Sequence, residues 1–243
     1  MNNTTKKTVY NRIILKISGE FLQGKNLSGI DNKLLDYIIQ EIKSILPLGV
    51  EIGIVIGGGN LFRGRYCNKN NNIKRVLGDQ IGMISTIING LLLYHSIKNK
   101  LINVYLMSSL PIQGICKEYN TFKAIDLIKN NIVILTGGIG NPLFTTDTTA
   151  CLRAIELEAD AVLKATKVNG VYSQDPINYS NAKFFNMINY DYVIKKKIQI
   201  MDNTAFFLAR DHNIPIHIFN IQKPGSLYKI LTGQIIGTII KNY

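Results

Sequence analysis

What this chain has little of narrows its function before any motif is considered. Of its 243 residues only three are cysteines, Cys67, Cys116 and Cys151, widely spaced and without a C-x-x-C pair. An odd, scattered set builds neither a disulfide frame nor a zinc site, and it fits a reducing compartment. The three histidines, His95, His212 and His217, have no ligating residues clustered around them in sequence, so no protein-held metal is expected. No apolar leader opens the chain. Residues 1–8 are polar and basic, which predicts a flexible tail rather than a signal peptide. A membrane span is not expected either: residues 81–97 lack Lys, Arg, Asp and Glu, but the stretch falls short of about 20 residues and contains Ser85, Asn89 and His95. Acidic residues are scarce, 16 against 28 Lys and Arg, for a net charge of +12. The basic residues are scattered, with Lys195, Lys196 and Lys197 the one tight run, read as a solvated face. A small anionic ligand is therefore expected, and a nucleic acid is not. Together these absences predict a cytoplasmic protein with neither membrane nor nucleic acid among its partners.

What is present is an alternation of strands and helices. At 46% hydrophobic residues the chain can bury a large core, and a single α/β domain over 9–243 is expected. Residues 12–17, 52–56, 102–107, 132–135, 160–166 and 215–219 read as buried strands, with 235–240 as a last strand at the sheet edge. Helices are predicted from an Asp31 cap through Ile45 to a stop at Pro47-Leu48-Gly49, and over 121–129, 148–158, 190–200 and 202–211. A further long helix, starting near Asp79, carries Ile81, Ile84, Ile87, Ile88, Leu91 and Leu92 on nearly every face. Such a helix must be covered all round. This predicts a contact with a second copy of the chain, with Gly78, Gly82 and Gly90 allowing close approach.

Two of the strands run into glycine turns. The first gives Gly57-Gly58-Gly59-Asn60-Leu61-Phe62-Arg63; the second gives Thr136-Gly137-Gly138-Ile139-Gly140 and ends in Thr145-Thr146-Asp147 at a helix start. The first has neither the lysine and Ser/Thr of a Walker loop nor the last glycine of the dinucleotide fingerprint. The second ends at a helix N-terminus, where anions are favoured. Lys16 and Lys164 stand near the carboxyl ends of strands, where open α/β sheets bind ligands, and Thr166 follows. The loop 167–176 carries Tyr172 and Asp175, suited to stacking on a base. Two lysines, an arginine and paired glycine turns make a clamp for several phosphates, unaccompanied by an activated nucleophile. Phosphoryl transfer to an acceptor that is already an anion needs little more than positioning, Mg²⁺ and positive charge. On residues alone the acceptor stays open between phosphate and carboxylate, and Asp147 between a plain helix cap, a partner for a lysine and a magnesium ligand.

Six blocks in order resemble the bacterial uridylate kinases of the amino-acid-kinase fold family. They are L-K-I-S-G-E at 15–20, V-I-G-G-G-N-L-F-R-G at 55–64, G-D-Q-I-G-M at 78–83, G-N-P-L-F-T-T-D at 140–147, L-K-A-T-K-V-N-G-V-Y at 163–172 and A-R-D-H at 209–212. The resemblance spans roughly residues 9–240 and implies a three-layer αβα sandwich with a mainly parallel central sheet. It also implies transfer of the γ-phosphoryl of ATP to UMP in pyrimidine nucleotide synthesis, with Mg²⁺, in a homohexamer activated by GTP and inhibited by UTP. By position, Lys16, Ile17, Ser18, Gly19, Gly59, Arg63, Thr166, Tyr172 and Asp175 resemble ATP contacts. Gly58, Asp79 and the segment Ile139, Gly140, Asn141, Pro142, Leu143, Phe144, Thr145 and Thr146 resemble UMP contacts. Lys16, Arg63, Asp147 and Lys164 are the candidates for the transfer step, Asp147 orienting one of the lysines. Asn169 departs from the aspartate usual there. Residues 24–29, Tyr94 and Tyr105 supply few of the basic groups on which the family's effector site leans, so weakened or lost GTP activation is expected. Carbamate, acetylglutamate and aspartate kinases share the fold, but they leave the G-N-L-F-R-G block at 59–64 and Asp79 without a sugar phosphate to bind. A non-catalytic nucleotide-binding relative should lack Lys16 or Asp147.

Overall fold

A computed structural model describes residues 7–62, 74–174, 176, 178, 179 and 181–243. Arg63, Cys67, Asp175 and most of the expected tail lie outside the described residues. Strand β1 (Arg12–Ile17) sends Ile13, Leu15 and Ile17 into one apolar core and Ile14 into another. A strand buried on both faces reads as an unbroken apolar run rather than an alternating one, which is why it was visible in sequence. The same holds for β2 (Glu51–Ile56), β5 (Ile132–Thr136), β6 (Ala161–Thr166) and β10 (Ile216–Asn220), and for β3 (Val104–Ser108) apart from its exposed Tyr105. Four shorter strands were not legible: β4 (Lys117–Glu118), β7 (Val171–Tyr172), β8 (Phe184–Phe185) and β9 (Met187–Asn189). Two or three residues carry no period. With β11 (Thr238–Lys241) the main sheet has the order β4-β3-β5-β2-β1-β6-β10-β11-β9, while β7 and β8 pair separately. Every pairing in the main sheet is parallel except β10 with β11. The last strand is therefore not at the edge, because β9 lies outside it.

Helices cover both faces. Leu35 and Ile38 of α2 (Asn32–Ile45), Leu93 and Ile97 of α3 (Arg75–Lys98) and Leu227 of α8 (Ser226–Leu231) enter the first core. Ala124 of α4 (Thr121–Ile128), Ala150 of α5 (Thr146–Glu156), Val193 of α6 (Tyr190–Lys195) and Phe206 of α7 (Asn203–Asp211) enter the second. This is the expected three-layer αβα sandwich. Each fully buried aliphatic side chain contributes about 1.5–3 kcal/mol. Asp31 caps α2 as expected, accepting the Lys33 N–H at 2.8 Å. Several elements differ from the sequence reading: a short helix, α1 (Gly19–Gln23), follows β1 where a turn was expected, α3 begins at Arg75, α5 runs two residues earlier than 148–158, α6 stops at Lys195, and α8 was not expected.

The covered side of the long helix is mixed, with Ile87, Leu93 and Ile97 in the core beside polar residues. Ser85, Thr86 and Asn89 are buried, whereas Ile84, Ile88, Leu91 and Leu92 are 37% to 49% exposed. By length and composition it is the one described helix able to cross a membrane, yet its buried polar groups are hydrogen-bonded within the protein, as shown below. Gly90 faces inward rather than toward a partner: a Cβ there would fall 2.2 Å from Thr136 Cγ2.

Candidate active site

Lys16 and Lys164 occupy directly paired positions on the neighbouring parallel strands β1 and β6. Their alternation sends both toward the helix layer containing α5. Both are buried, and two like charges side by side in an apolar layer need a counter-charge. Asp147, in the first turn of α5, supplies it. The Lys164 ammonium donates to Asp147 Oδ2 at 2.6 Å and to the Ile200 carbonyl at 2.5 Å, and Lys16 Nζ lies 2.8 Å from Asp147 Oδ1. Burial alone would raise the Asp147 pKa, but the two ammonium groups overcome it and hold the carboxyl below its usual range. Lys164 is driven down to about 8, first by burial and then by the charge of Lys16, against the pull of Asp147.

Asp147 is not a cap. That role belongs to Thr145, whose hydroxyl accepts the N–H groups of Asp147 and Thr148. The hydroxyls of Thr145 and Thr148 both donate to Asp202, which also caps α7. Asp202 thus fixes the start of α5 against α7, a structural duty that its place at a helix start did not reveal.

The two glycine turns are both anchored on the polar face of α3. Asn89 donates to the Gly57 carbonyl at 2.7 Å and exchanges hydrogen bonds with Asn60, which also donates to Gly29 O at 2.8 Å. Thr86 Oγ1 accepts the Gly137 N–H at 2.8 Å. Arg153, buried in α5 and stacked on the Tyr119 ring at 3.7 Å, donates to Ser109 Oγ at 2.7 Å; Ser109 in turn donates to the Gly138 carbonyl at 2.9 Å. The sequence assigns no site role to Thr86, Asn89 or Arg153, because a polar residue inside a helix carries no signal of what it meets.

Among the remaining candidates, Gly19, Gly58 and Gly59 sit at the closely packed junction of β1, β2 and α3. Ser18 caps α1 with no side-chain hydrogen bond, leaving its hydroxyl available. Ile17 is in the core and offers only its backbone. Asp79 pairs with Arg75 at 2.8 Å and accepts the Leu143 N–H at 2.9 Å, so it holds the middle of the 139–146 segment. That segment exposes Leu143 and Phe144, with Leu143 at a positive φ of 75°. The Thr166 hydroxyl lies 3.0 Å from the Phe219 carbonyl and 2.9 Å from that of Val168, tying the end of β6 to β10. Tyr172 stands edge-on to Phe184, with ring centroids 5.1 Å apart, and lines a cavity of about 510 Å³ with Val168, Ile198 and Ile200. A second cavity of about 480 Å³ shares Ile198 and Ile200 and reaches Asp147. The two cavities adjoin along residues 197–200, one with an aromatic wall at Tyr172 and the other reaching the carboxylate that holds the lysine pair.

Among the described residues no three His, Cys, Asp or Glu are grouped to hold a metal ion, and both Asp147 oxygens face ammonium groups. The described donors at this site, an aspartate already held by two ammonium groups, do not fit a resident metal.

Residues 11–220 match the amino acid kinase family. The chain is 52% identical to the uridylate kinase of Buchnera aphidicola over 98% of this chain and the whole of that one, and 49% identical to that of Colwellia psychrerythraea over 98% and 97%. Its structure superposes on the UMP kinase of Bacillus anthracis with a TM-score of 0.93, at 40% identity over 96% of both chains. The chain belongs to the amino acid kinase family, among the bacterial uridylate kinases. The family accounts for the blocks that hold the lysine pair and the glycine turns, while the hydrogen bonds above account for how this chain keeps them in place.

Proposed function

We infer that the chain transfers the γ-phosphoryl group of ATP to UMP, yielding ADP and UDP in pyrimidine nucleotide metabolism. The observation that carries this is the Lys16–Asp147–Lys164 cluster, set between two glycine turns in a chain about half identical to uridylate kinases over its full length. ATP lies across the two adjoining cavities, with Lys16, Ile17, Ser18, Gly19, Gly59, Arg63, Thr166, Tyr172 and Asp175 as its contacts. UMP lies against Gly58, Asp79 and residues 139–146. Magnesium arrives with the ATP phosphates as part of the substrate. The acceptor phosphate is already an anion, so no general base is needed; the task is to neutralise charge on the transferring oxygens in a water-poor site. Lys16, Lys164 and Arg63 supply that charge. Asp147 keeps the paired ammonium groups aimed into the site before substrate enters.

Ile84, Ile88, Leu91 and Leu92 of α3 form an exposed apolar stripe, which supports self-association; we assign it to a homohexamer in the cytoplasm, with UTP as inhibitor and weakened or lost activation by GTP. Coupled ADP release should be measured with UMP, CMP, AMP and small carboxylates as acceptors. UMP is expected to turn over fastest; equal turnover of CMP or of a carboxylate would overturn the assignment.

A further inference from the structure

The basic run 195–197 reads in sequence as a solvated face, but its last member is placed differently. Helix α6 ends in a left-handed residue at Lys197 (φ 51°), where the Lys197 N–H donates to Ile194 O and the Ile198 N–H to Val193 O, both at 3.1 Å. Glycine is the usual occupant of such a position, and a side chain there costs about 1 kcal/mol. Leu101, Glu158 and Asn213 follow other helices with similar φ, so the backbone alone does not mark a function. The location does. Lys197 lines both the cavity that reaches Asp147 and the cavity that contains Tyr172, at the join between them.

The charges around that join are otherwise committed. Asp147 is engaged by Lys16 and Lys164, and Asp202 by two threonine hydroxyls and the Ala205 N–H. The neighbouring Lys196 lies over the Tyr192 ring at 5.9 Å. Lys197 is exposed and has no ion-pair partner among the described residues. A flexible ammonium group on the segment shared by a cavity with an aromatic wall and a cavity that reaches Asp147 is suited to phosphates bound between the two.

We propose that Lys197 is a nucleotide-binding residue whose ammonium group contacts the α- and β-phosphates of ATP and ADP. This rests on the placing of ATP across these two cavities. Lys197→Gly and Lys197→Gln in the full chain test it. The KM for ATP and the Kd for ADP are expected to rise about fivefold in both variants, the scale of one exposed charge-assisted contact. The Kd for adenosine and the KM for UMP should stay as they are, and thermal unfolding of Lys197→Gly should come no earlier than that of the native chain, because glycine relieves the left-handed strain. An unchanged Kd for ADP in Lys197→Gln, or an equal loss of adenosine, overturns the proposal. Failure of the native chain to phosphorylate UMP would instead strike the functional reading, while the ADP and adenosine measurements still decide the role of Lys197.

Discussion

The two glycine turns look alike in sequence and obey different physics. None of Gly57, Gly58 and Gly59 has a positive φ; what they need is room. A Cβ on Gly58 would come 2.7 Å from the Gly82 carbonyl and 2.8 Å from Ser85 Cβ, so this turn is pressed against α3. Gly137, Gly138 and Gly140 all have positive φ, of 74°, 60° and 89°, and a Cβ on Gly138 would meet nothing closer than 3.5 Å. The second turn needs dihedral freedom, with space to spare at its middle residue. Both are tied to the same helix, the first through Asn89 and the second through Thr86. One turn is a wall fixed by packing; the other is a bend that delivers the start of α5, and with it Asp147.

If the turns only frame the site, the largest effects on turnover should come from the residues between them. Lys16→Ala is expected to lower kcat by at least about 100-fold, the scale of losing one electrostatic stabiliser, while Asp147 keeps Lys164 and the fold persists. Asp147→Asn should lose activity and also cost about 3 kcal/mol, because two adjacent buried ammonium groups are left without a counter-charge. Coupled ADP release and urea denaturation report the two quantities. Near-normal turnover of Lys16→Ala would move the chemistry away from this cluster.

The distinction between the turns can be broken by two substitutions at each. Gly58→Ala should cost about 2–3 kcal/mol, because the neighbour it meets is backbone and cannot swing aside. Gly138→Ala should cost about 1–2 kcal/mol from its left-handed φ. Asparagine separates the causes: it tolerates the left-handed region, so Gly138→Asn should recover part of the loss, whereas Gly58→Asn should be worse than alanine. Denaturation midpoints that rank alanine and asparagine alike at both sites would show that one mechanism governs both turns.

The central strands were legible because burial on both faces writes itself as a run of β-branched and aliphatic residues, and Lys16 and Lys164 stood out because they interrupt such runs. What was not legible depends on partners far away in the chain. That Lys16 and Lys164 sit side by side follows from the β1–β6 register, and no local pattern encodes a register between strands some 150 residues apart. Asp147 could be read as a cap, a lysine partner or a metal ligand until Thr145 was seen to cap α5. The apolar stretch 81–97 reads as a helix covered all round, but of its large apolar residues Ile84, Ile88, Leu91 and Leu92 stay exposed, and its polar Ser85 and Asn89, which in sequence argue only against a membrane span, are buried with Thr86. Asn89 and Thr86 turn out to hold both glycine turns. The position of β11 inside the sheet was missed because β9, only three residues long, pairs outside it.

The smallest effect concerns the lysine pair itself and separates its two members by pH. The ordinary lysine value is 10.5 and that of Lys164 in the folded chain is about 8, lowered by burial and by Lys16. Between these values the unfolded chain holds more protons at this group than the folded one does. The contribution of Lys164 to stability therefore rises with pH across that window. Catalysis should go the other way, since the charge that Lys164 offers to the transferring phosphate is lost as pH climbs through about 8. The kcat/KM for ATP is expected to fall severalfold between pH 7 and pH 9, and the descent should disappear in Lys164→Arg, whose guanidinium stays charged. Arginine does not reproduce lysine geometry, so the level of activity will drop, but the shape of the profile is the readout. A native profile flat through pH 9 would mean that Asp147 fully compensates the neighbouring charge, and the two lysines would then act as one fixed cationic unit.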